Sequence, residues 1–424
     1  MKILFVVHQF LPRHLAGTEV YTYCLARSLK DRGHEVSIYT RENGFFDEAL
    51  RNESTQYDGL NIKTVYFNSL NRRFKWLRKF CNDFYNPLLE RHFKKHINKT
   101  NPDIIHVQHL HGLSASFINA ARRNRIPSVV TLNDYWFMCG TNQLLTKSLK
   151  ICSGPFYGLK CHKCFMPTNN RLVLSGLYPL HSVLIFLRLM YLKSLLNKVN
   201  LIIAPSFFLK GKFVDHGISE SKIIFSDYGF DSGHMKHFEA KTGNTLRFTF
   251  IGSIMPHKGV HVLIDAFKKL TNTNALLKVY GDPTYAPDYY ETLRAMSTNH
   301  PIKFMGHFEN NRVYEILAET DVLVVPSIWY ENSPLTIHEA ALAGVPVIAS
   351  NIGGMAELVE RFQNGLLFQV GVADDLYKKM KLLIDNHGLI KELKGNPNAI
   401  KTIDENAKEL EDVYTRLLDA DRSG

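Results

Sequence analysis

Two long series of alternating strand-like and helix-like segments, separated by a polar stretch at 229–245, constrain this 424-residue chain more than any other feature. In the first series, short apolar runs at 2–7, 36–40, 61–66, 104–108, 128–132, 201–204 and 223–225 read as strands, with helices at 112–124 and 206–216 among the segments between them. The second has strand-like runs at 246–251, 275–280, 302–305, 322–326, 347–350 and 365–368, and helices at 260–270, 289–298, 311–319 and 354–360. Strands that are apolar throughout belong to parallel sheets covered on both faces. Strict alternation in two blocks therefore predicts an α/β protein with two doubly wound parallel sheets, each binding ligand at the carboxyl edges of its strands. The expected division is 1–228, interrupted by an insertion at about 135–200, then 229–400, then a helix at 401–424 that can pack back on the first domain.

The chemistry concentrates in Trp329–Pro346, W-Y-E-N-S-P-L-T-I-H-E-A-A-L-A-G-V-P. After the 322–326 strand, Ser333 is placed to cap a helix whose first residue is Pro334, and Gly344 with Pro346 ends it. The free N–H groups of that first turn and the positive end of the helix dipole suit a phosphate. Glu331 lies in the preceding loop, and Glu339 lies five residues past Pro334, roughly 8 Å along the axis. A carboxylate there cannot neutralise phosphate but can accept hydrogen bonds from sugar hydroxyls. Phosphate at a helix tip with hydroxyls at two carboxylates describes a nucleotide sugar. In the first series, Ala16-Gly17-Thr18-Glu19 opens a helix that Thr18 is placed to cap.

A formal charge of +11 calls for an anionic partner. The basic, aromatic region from Arg72 to Lys95, with Phe74, Trp76 and Phe80, comes with no nucleic-acid-binding motif, so an anionic membrane surface suits it better than nucleic acid. The segment 177–196 is apolar almost all round, yet Arg188, Lys193 and Pro179 argue against a spanning helix; it reads either as packing or as an element lying on a membrane. The first residues are too short an apolar run for a signal peptide and read as the first strand of a cytoplasmic protein, peripheral on the inner face of the cytoplasmic membrane. Cys139, Cys152, Cys161 and Cys164 leave two readings open: a closed structural zinc site, favoured by the Cys161-His-Lys-Cys164 spacing, or free thiols and a redox pair. His106, His109 and His111 end a strand, where they serve either packing or chemistry.

Three motifs together, namely Glu331 and Glu339 with seven residues between them, the turn His257-Lys258-Gly259 after a strand, and the small-residue loop Ala16-Gly17, closely resemble family 4 of the glycosyltransferases. The resemblance implies retaining enzymes of the GT-B fold, two Rossmann-like domains facing across a cleft. It implies Glu331 near the donor sugar, Glu339 on the ribose and Lys258 on the diphosphate, with Asn332, Ser333, Pro334, Leu335 and Thr336 offering backbone N–H groups and Gly17 letting the first domain's loop approach. Ser253 stands where many relatives have an arginine, and Asn133, in Thr131-Leu132-Asn133-Asp134, where they have a histidine. Asparagine cannot take a proton, which turns attention to His109 and His111 as substitutes. The implied activity is transfer from a nucleotide-diphosphate sugar to a glycan or lipid-linked acceptor in cell-surface polysaccharide or glycolipid synthesis, with no cofactor needed for catalysis. A silent nucleotide-sugar-binding protein and a nucleotide-sugar epimerase are the alternatives.

Overall fold

The computed structural model describes residues 1–43, 50–67, 84–155, 158–161, 164, 178–231, 245–271 and 273–423. The segment Arg72–Phe80 of the basic region and most of the 229–245 stretch lie outside them. The chain forms two compact units, one of residues 1–144, 152–229 and 402–424, the other of 145–151 and 230–401.

The first unit is built on an eight-stranded sheet: β1 (Lys2–Val6), β2 (Glu35–Asn43), β3 (Leu50–Tyr57), β4 (Leu60–Phe67), β5 (Ile104–Val107), β6 (Ser128–Thr131), β7 (Leu201–Ala204) and β8 (Ile223–Phe225), in the order β3-β4-β2-β1-β5-β6-β7-β8. Every pairing is parallel except β3–β4. β3 departs from the expected layout. Its sequence, LRNESTQY, is polar and exposed, so no apolar pattern announces it. The usable signal was Asp58-Gly59, both at positive φ, the two-residue turn that closes a tight antiparallel hairpin. The helix expected at 112–124 is shorter, Phe117–Arg123, because Gly112 takes a left-handed φ of 68° and a loop follows it.

The helix Gly17–Asp31 begins with Ala16 as its N-cap and no side-chain cap bond, so Thr18 lies inside the first turn and does not cap it. The last helix, Ile403–Ser423, belongs to this unit. Tyr21 Oη donates to Asn406 Oδ1 at 2.8 Å, Ser28 Oγ to Asp404 at 2.6 Å, and Tyr414 is fully buried with its hydroxyl 2.6 Å from His106 Nδ1.

The second unit has six parallel strands, β9 (Leu246–Ile251), β10 (Ala275–Tyr280), β11 (Ile302–Gly306), β12 (Val322–Val325), β13 (Val347–Ser350) and β14 (Gly365–Phe368), in the order β11-β10-β9-β12-β13-β14. Successive side chains of a strand point to opposite faces. Val322 and Val324 thus enter one core with Phe248, Leu263 and Leu277, whereas Leu323 and Val325 enter another with Ile337, Ala341 and Met355. That double burial is why these strands read as continuous apolar runs.

Both sheets reverse direction once. In the first unit the order runs outward from β1 on one side and from β5 on the other; in the second, from β9 and from β12. At such a reversal the loops leaving the two central strands diverge and leave a crevice at the carboxyl edge, the place where open α/β sheets hold ligands.

Candidate functional site

In the second unit, the loops after β9 and β12 carry Lys258 and Glu331 to that crevice. Lys258 Nζ lies 2.6 Å from Glu331 Oε1, and the same oxygen accepts from Ser327 Oγ at 2.8 Å and Trp329 Nε1 at 2.9 Å. Burial alone would raise the Glu331 carboxyl, but the charge and hydrogen bond of Lys258, with the Ser327 hydroxyl, hold it below the ordinary carboxylate range. It is therefore ionised at neutral pH. Lys258 also lies over the Trp329 ring, 5.6 Å from its centroid.

Two glycines make this close approach of loops feasible. Gly259 has φ +72°, and a Cβ there would sit 1.9 Å from Pro326 O; a Cβ on Gly354 would sit 1.6 Å from Asn332 O. Gly354 N–H donates to Glu331 O at 2.8 Å, tying the loop to the neighbouring helix Gly353–Phe362.

The helix of the opening stretch runs Leu335–Leu342, and its N-cap is Pro334 with no side-chain cap bond. Ser333 is buried one residue before that cap, so the expected Ser333 cap with Pro334 inside the helix is corrected by one position. Pro334, at ψ 122°, is still extended, and its fixed φ leads into the first turn from outside. Asn332 is also buried, whereas Leu335 and Thr336 are half-buried at the start of the helix. Glu339 is half-buried on this helix, and no hydrogen bond to its carboxyl is present among the described residues. Desolvation pushes that carboxyl up to about 7. Ser253 is half-buried in the loop after β9, with its carbonyl accepting from Met255 N–H at 2.9 Å.

In the first unit, Gly17 is exposed at the start of its helix. The loops after β1, β5 and β6 bring His8, His109, His111, Asn133 and Asp134 to the carboxyl edge. Asn133 has both ends of its amide engaged: Nδ2 donates to Gln108 O at 2.7 Å, and Tyr228 Oη donates to Oδ1 at 2.6 Å. His109 accepts His111 N–H on Nδ1 at 3.0 Å and faces Asp134 Oδ2 with Nε2 at 2.9 Å. Those bonds place its proton on Nε2 and leave neither nitrogen free to act as a base. His111 Nδ1 meets Asn142 Nδ2 at 3.3 Å. His106 is buried against Tyr414 and Thr131 and is held neutral by desolvation, down to about 3.

Two residues escaped the reading of the sequence. Glu19, 1% exposed, has Oε1 3.5 Å from His8 Nε2, while Glu19 Oε2 and His8 Nδ1 are buried with no hydrogen-bond partner among the described residues. The His8 and His109 rings stand 4.4 Å apart. Burial, together with His109, His111 and Arg41, keeps His8 well below the ordinary histidine value. The available signal was positional, since His8 directly follows the first strand and Glu19 sits in the first turn of the helix after it.

None of Cys139, Cys152, Cys161 and Cys164 forms a disulfide among the described residues. Among the described residues no three His, Cys, Asp or Glu side chains are disposed to hold a metal ion, although Cys139, Cys152 and Cys164 are all near enough to Cys161 to help burial push its thiol up to about 12. Three of the sulfurs make local contacts: Cys139 with Thr141 Oγ1 at 3.3 Å, Cys152 with Gly154 N–H at 3.4 Å, Cys161 with Pro155 O at 3.7 Å.

Two doubly wound parallel sheets in one chain, each with polar side chains at its reversal point, define a two-Rossmann protein of the GT-B type. The family follows from the chain itself. It belongs to Glycosyltransferase Family 4, whose model matches residues 15–231, and the glycosyl transferases group 1 model matches residues 234–402. The chain is 22% identical over 367 residues to a 42.6 kDa protein of the cps region of Klebsiella pneumoniae, covering 84% of this chain and 87% of that one. It is 29% identical over 148 residues to the Escherichia coli UDP-Gal:alpha-D-GlcNAc-diphosphoundecaprenol alpha-1,3-galactosyltransferase, covering 34% of this chain and 38% of that one. Its fold is similar to that of Anabaena HepE, solved in complex with UDP and glucose, with TM-score 0.66, 19% identity, and coverage of 98% and 99% of the two chains.

Proposed function

We propose that this glycosyltransferase moves a sugar from a nucleoside-diphosphate donor, with retention at the anomeric carbon, to a glycan or lipid-linked acceptor in the making of a cell-surface polysaccharide. The observation that carries the reading is the Lys258–Glu331 pair at the reversal of the second sheet, with Ser327 and Trp329 donating to the same carboxylate oxygen. A donor diphosphate draws the Lys258 ammonium from Glu331 onto itself, and the ionised carboxylate then accepts a sugar hydroxyl. The bond from the anomeric carbon to the phosphate oxygen breaks and nucleoside diphosphate departs. The acceptor oxygen bonds to that carbon on the same face, and its proton passes to the departing phosphate. Lys258 and the N–H groups at Leu335–Leu342 oppose the charge that develops on the leaving group, so the step needs no metal ion. Glu339, half-buried and with no hydrogen bond to its carboxyl among the described residues, suits the hydroxyls of a ribose.

The relatives support the chemical classes. HepE was solved with UDP and glucose, the Escherichia coli relative's name specifies UDP-Gal and a diphosphoundecaprenol-linked acceptor, and the Klebsiella relative lies in a cps region. Asn133, with its amide fully engaged, favours a second reading as a silent nucleotide-sugar-binding protein. The deciding measurement is release of nucleoside diphosphate from UDP-glucose, UDP-galactose and UDP-N-acetylglucosamine with polyprenyl-diphosphate glycans as acceptors. Transfer requires release that depends on acceptor and is lost in Lys258→Ala and Glu331→Ala. A donor that binds without being consumed establishes the silent protein, and conversion of donor without acceptor establishes an epimerase.

A further inference from the structure

The helix Tyr178–Leu196 is apolar nearly all round, but only one side of it is covered. Ile185, Leu189, Leu192, Leu195 and Leu196 are buried, whereas Val183, Leu187 and Met190 are 52%, 55% and 50% exposed. Their spacing of four and three residues puts them on one outward stripe. Arg188 confirms the rotation of the helix. It is turned inward and 1% exposed, donating to Trp136 O at 3.2 Å and lying over that indole ring. The one cation of this helix segment between 183 and 190 thus does not break the exposed stripe, and the whole helix carries no acidic residue.

The neighbouring surface continues the stripe and adds charge. Tyr191 on this helix makes edge contacts with Phe84 and Tyr85, at 6.0 and 6.4 Å between ring centroids. Tyr85 and Leu88 are each 45% exposed, and Leu88 lies in the first turn of the helix Pro87–Thr100. The outward positions of that helix run Leu88, Arg91, Lys95, Lys99, again at helical spacing, all exposed. Its acid, Glu90, is turned in and bonded to Arg123 at 3.3 Å. An apolar stripe therefore borders a cationic one, with no exposed carboxylate between them among these residues. Soluble surfaces rarely leave a contiguous apolar stripe of this kind uncovered, and where they do it marks an interaction site.

We propose that this face of the first unit lies on a bilayer containing anionic lipids, with Val183, Leu187 and Met190 entering the interface and Arg91, Lys95 and Lys99 meeting headgroup phosphates. Charge decides between occupants. A second copy of this chain would set the same cations against each other, since a two-fold contact pairs a patch with itself. An anionic bilayer neutralises them, and it accepts aliphatic side chains from a helix lying in its plane. Among the described residues no helix is long and apolar enough to cross a membrane, so the helix lies on the surface.

This inference does not rest on the transfer reading, because its readout is partitioning. The full chain is sedimented with vesicles of phosphatidylethanolamine and phosphatidylglycerol, and with pure phosphatidylcholine as reference. Binding is expected only to the anionic vesicles, and to fall as salt is raised. Leu187→Asp and Met190→Asp should each lower the partition coefficient ~10-fold or more, since each removes an inserted side chain and adds a repelled charge. Both positions are half-exposed, so the fold should tolerate the change, and a thermal melt verifies it. Tyr285→Asp, at a 69% exposed site in the second unit, should bind as wild type. Wild-type protein left in the supernatant overturns the proposal, as does binding indifferent to both aspartate variants. A dimer in sedimentation equilibrium that Leu187→Asp dissolves assigns the face to a second copy instead.

Discussion

The reversal points of the two sheets use opposite electrostatic designs. In the second unit, one oxygen of Glu331 takes a lysine, a serine and an indole donor at once, so charge is paired before any ligand arrives. In the first unit the corresponding edge is lined by imidazoles, and His8 Nδ1 and Glu19 Oε2 have no hydrogen-bond partner among the described residues. His8 is neutral there because burial and the neighbouring histidines oppose its protonation. The second unit's crevice is thus a stored ion pair, suited to a ligand that brings its own charge and exchanges partners with it. The first unit's edge instead sets a neutral His8 beside His109 and its Asp134 partner, with Arg41 as the neighbouring cation.

The stored pair is the contrast most easily broken. Lys258→Ala removes the cation and leaves a buried carboxylate facing only two neutral donors. Loss of the partner of a buried charge costs about 3 kcal/mol, and removal of a leaving-group donor costs ~10²-fold or more in kcat/KM. Chemical denaturation and initial rates read the two effects separately. Lys258→Met with Glu331→Gln should recover most of the stability and none of the rate. If the double variant turns over donor at the wild-type rate, the pair is structural. The pH dependence has a definite sign: the folded Glu331 carboxyl lies below its unfolded value, so its stabilisation is present above the ordinary carboxylate range and is lost as pH falls through the folded value.

Glu339 sharpens the comparison inside the second unit, because its sign is reversed. Its carboxyl is raised to about 7, so its contribution is present below an unfolded carboxyl's range and is lost as pH rises through about 7. Glu339→Gln should flatten unfolding free energy between those limits, an effect of about 3 kcal/mol at most. A ligand whose hydroxyls bond the ionised form releases a proton on binding. Titration calorimetry of UDP at pH 7 in buffers of different ionisation enthalpy should show that release in the wild type and not in Glu339→Gln. Equal heats in all buffers would remove Glu339 from the binding site.

What was legible in the sequence follows the same division. The second unit's central strands are buried on both faces, and an apolar run with a bounding turn sufficed to place β9, β10, β13 and β14 to the residue. Glu331 was singled out by its place in the loop after a strand and Lys258 through the family resemblance, and the structure brings the two side chains to 2.6 Å of each other. β3 was not, because an edge strand with solvent on its side chains needs no hydrophobic pattern. The cap at Pro334 was displaced by one residue because Ser333, a good cap by type, is drawn into the buried loop instead. The roles at the first unit's edge were hidden for a different reason. Residue type told that Asn133, His109 and His111 are polar, but whether a ring nitrogen is free depends on bonds to Gln108, Asp134 and backbone N–H groups that no spacing encodes.

That last point yields a test of the first unit's edge. Asn133→His installs the side chain that many relatives carry, yet the site is built for an amide that donates to Gln108 and accepts from Tyr228. Imidazole cannot reproduce both bonds with the same geometry, and a buried tyrosine hydroxyl then loses its acceptor. The expected result is a loss of about 1–2 kcal/mol in stability with no gain in transfer rate. A faster enzyme would show that the edge accepts an imidazole base and that Asn133 limits the chemistry.

The smallest effect discriminates between residue type and position. Thr18 is a favourable cap residue by type, and a capping role predicts a loss of about 1 kcal/mol on Thr18→Ala. In the structure Ala16 occupies the cap, and Thr18 contributes its backbone carbonyl, which accepts from Thr22 Oγ1 at 2.6 Å. Alanine preserves that carbonyl and is the better residue inside a first turn. The substitution should therefore change the unfolding free energy by less than about 0.5 kcal/mol, a melting shift of under about 2 °C. A larger loss would mean that Thr18 caps the helix in solution, which would then begin two residues later, at Glu19.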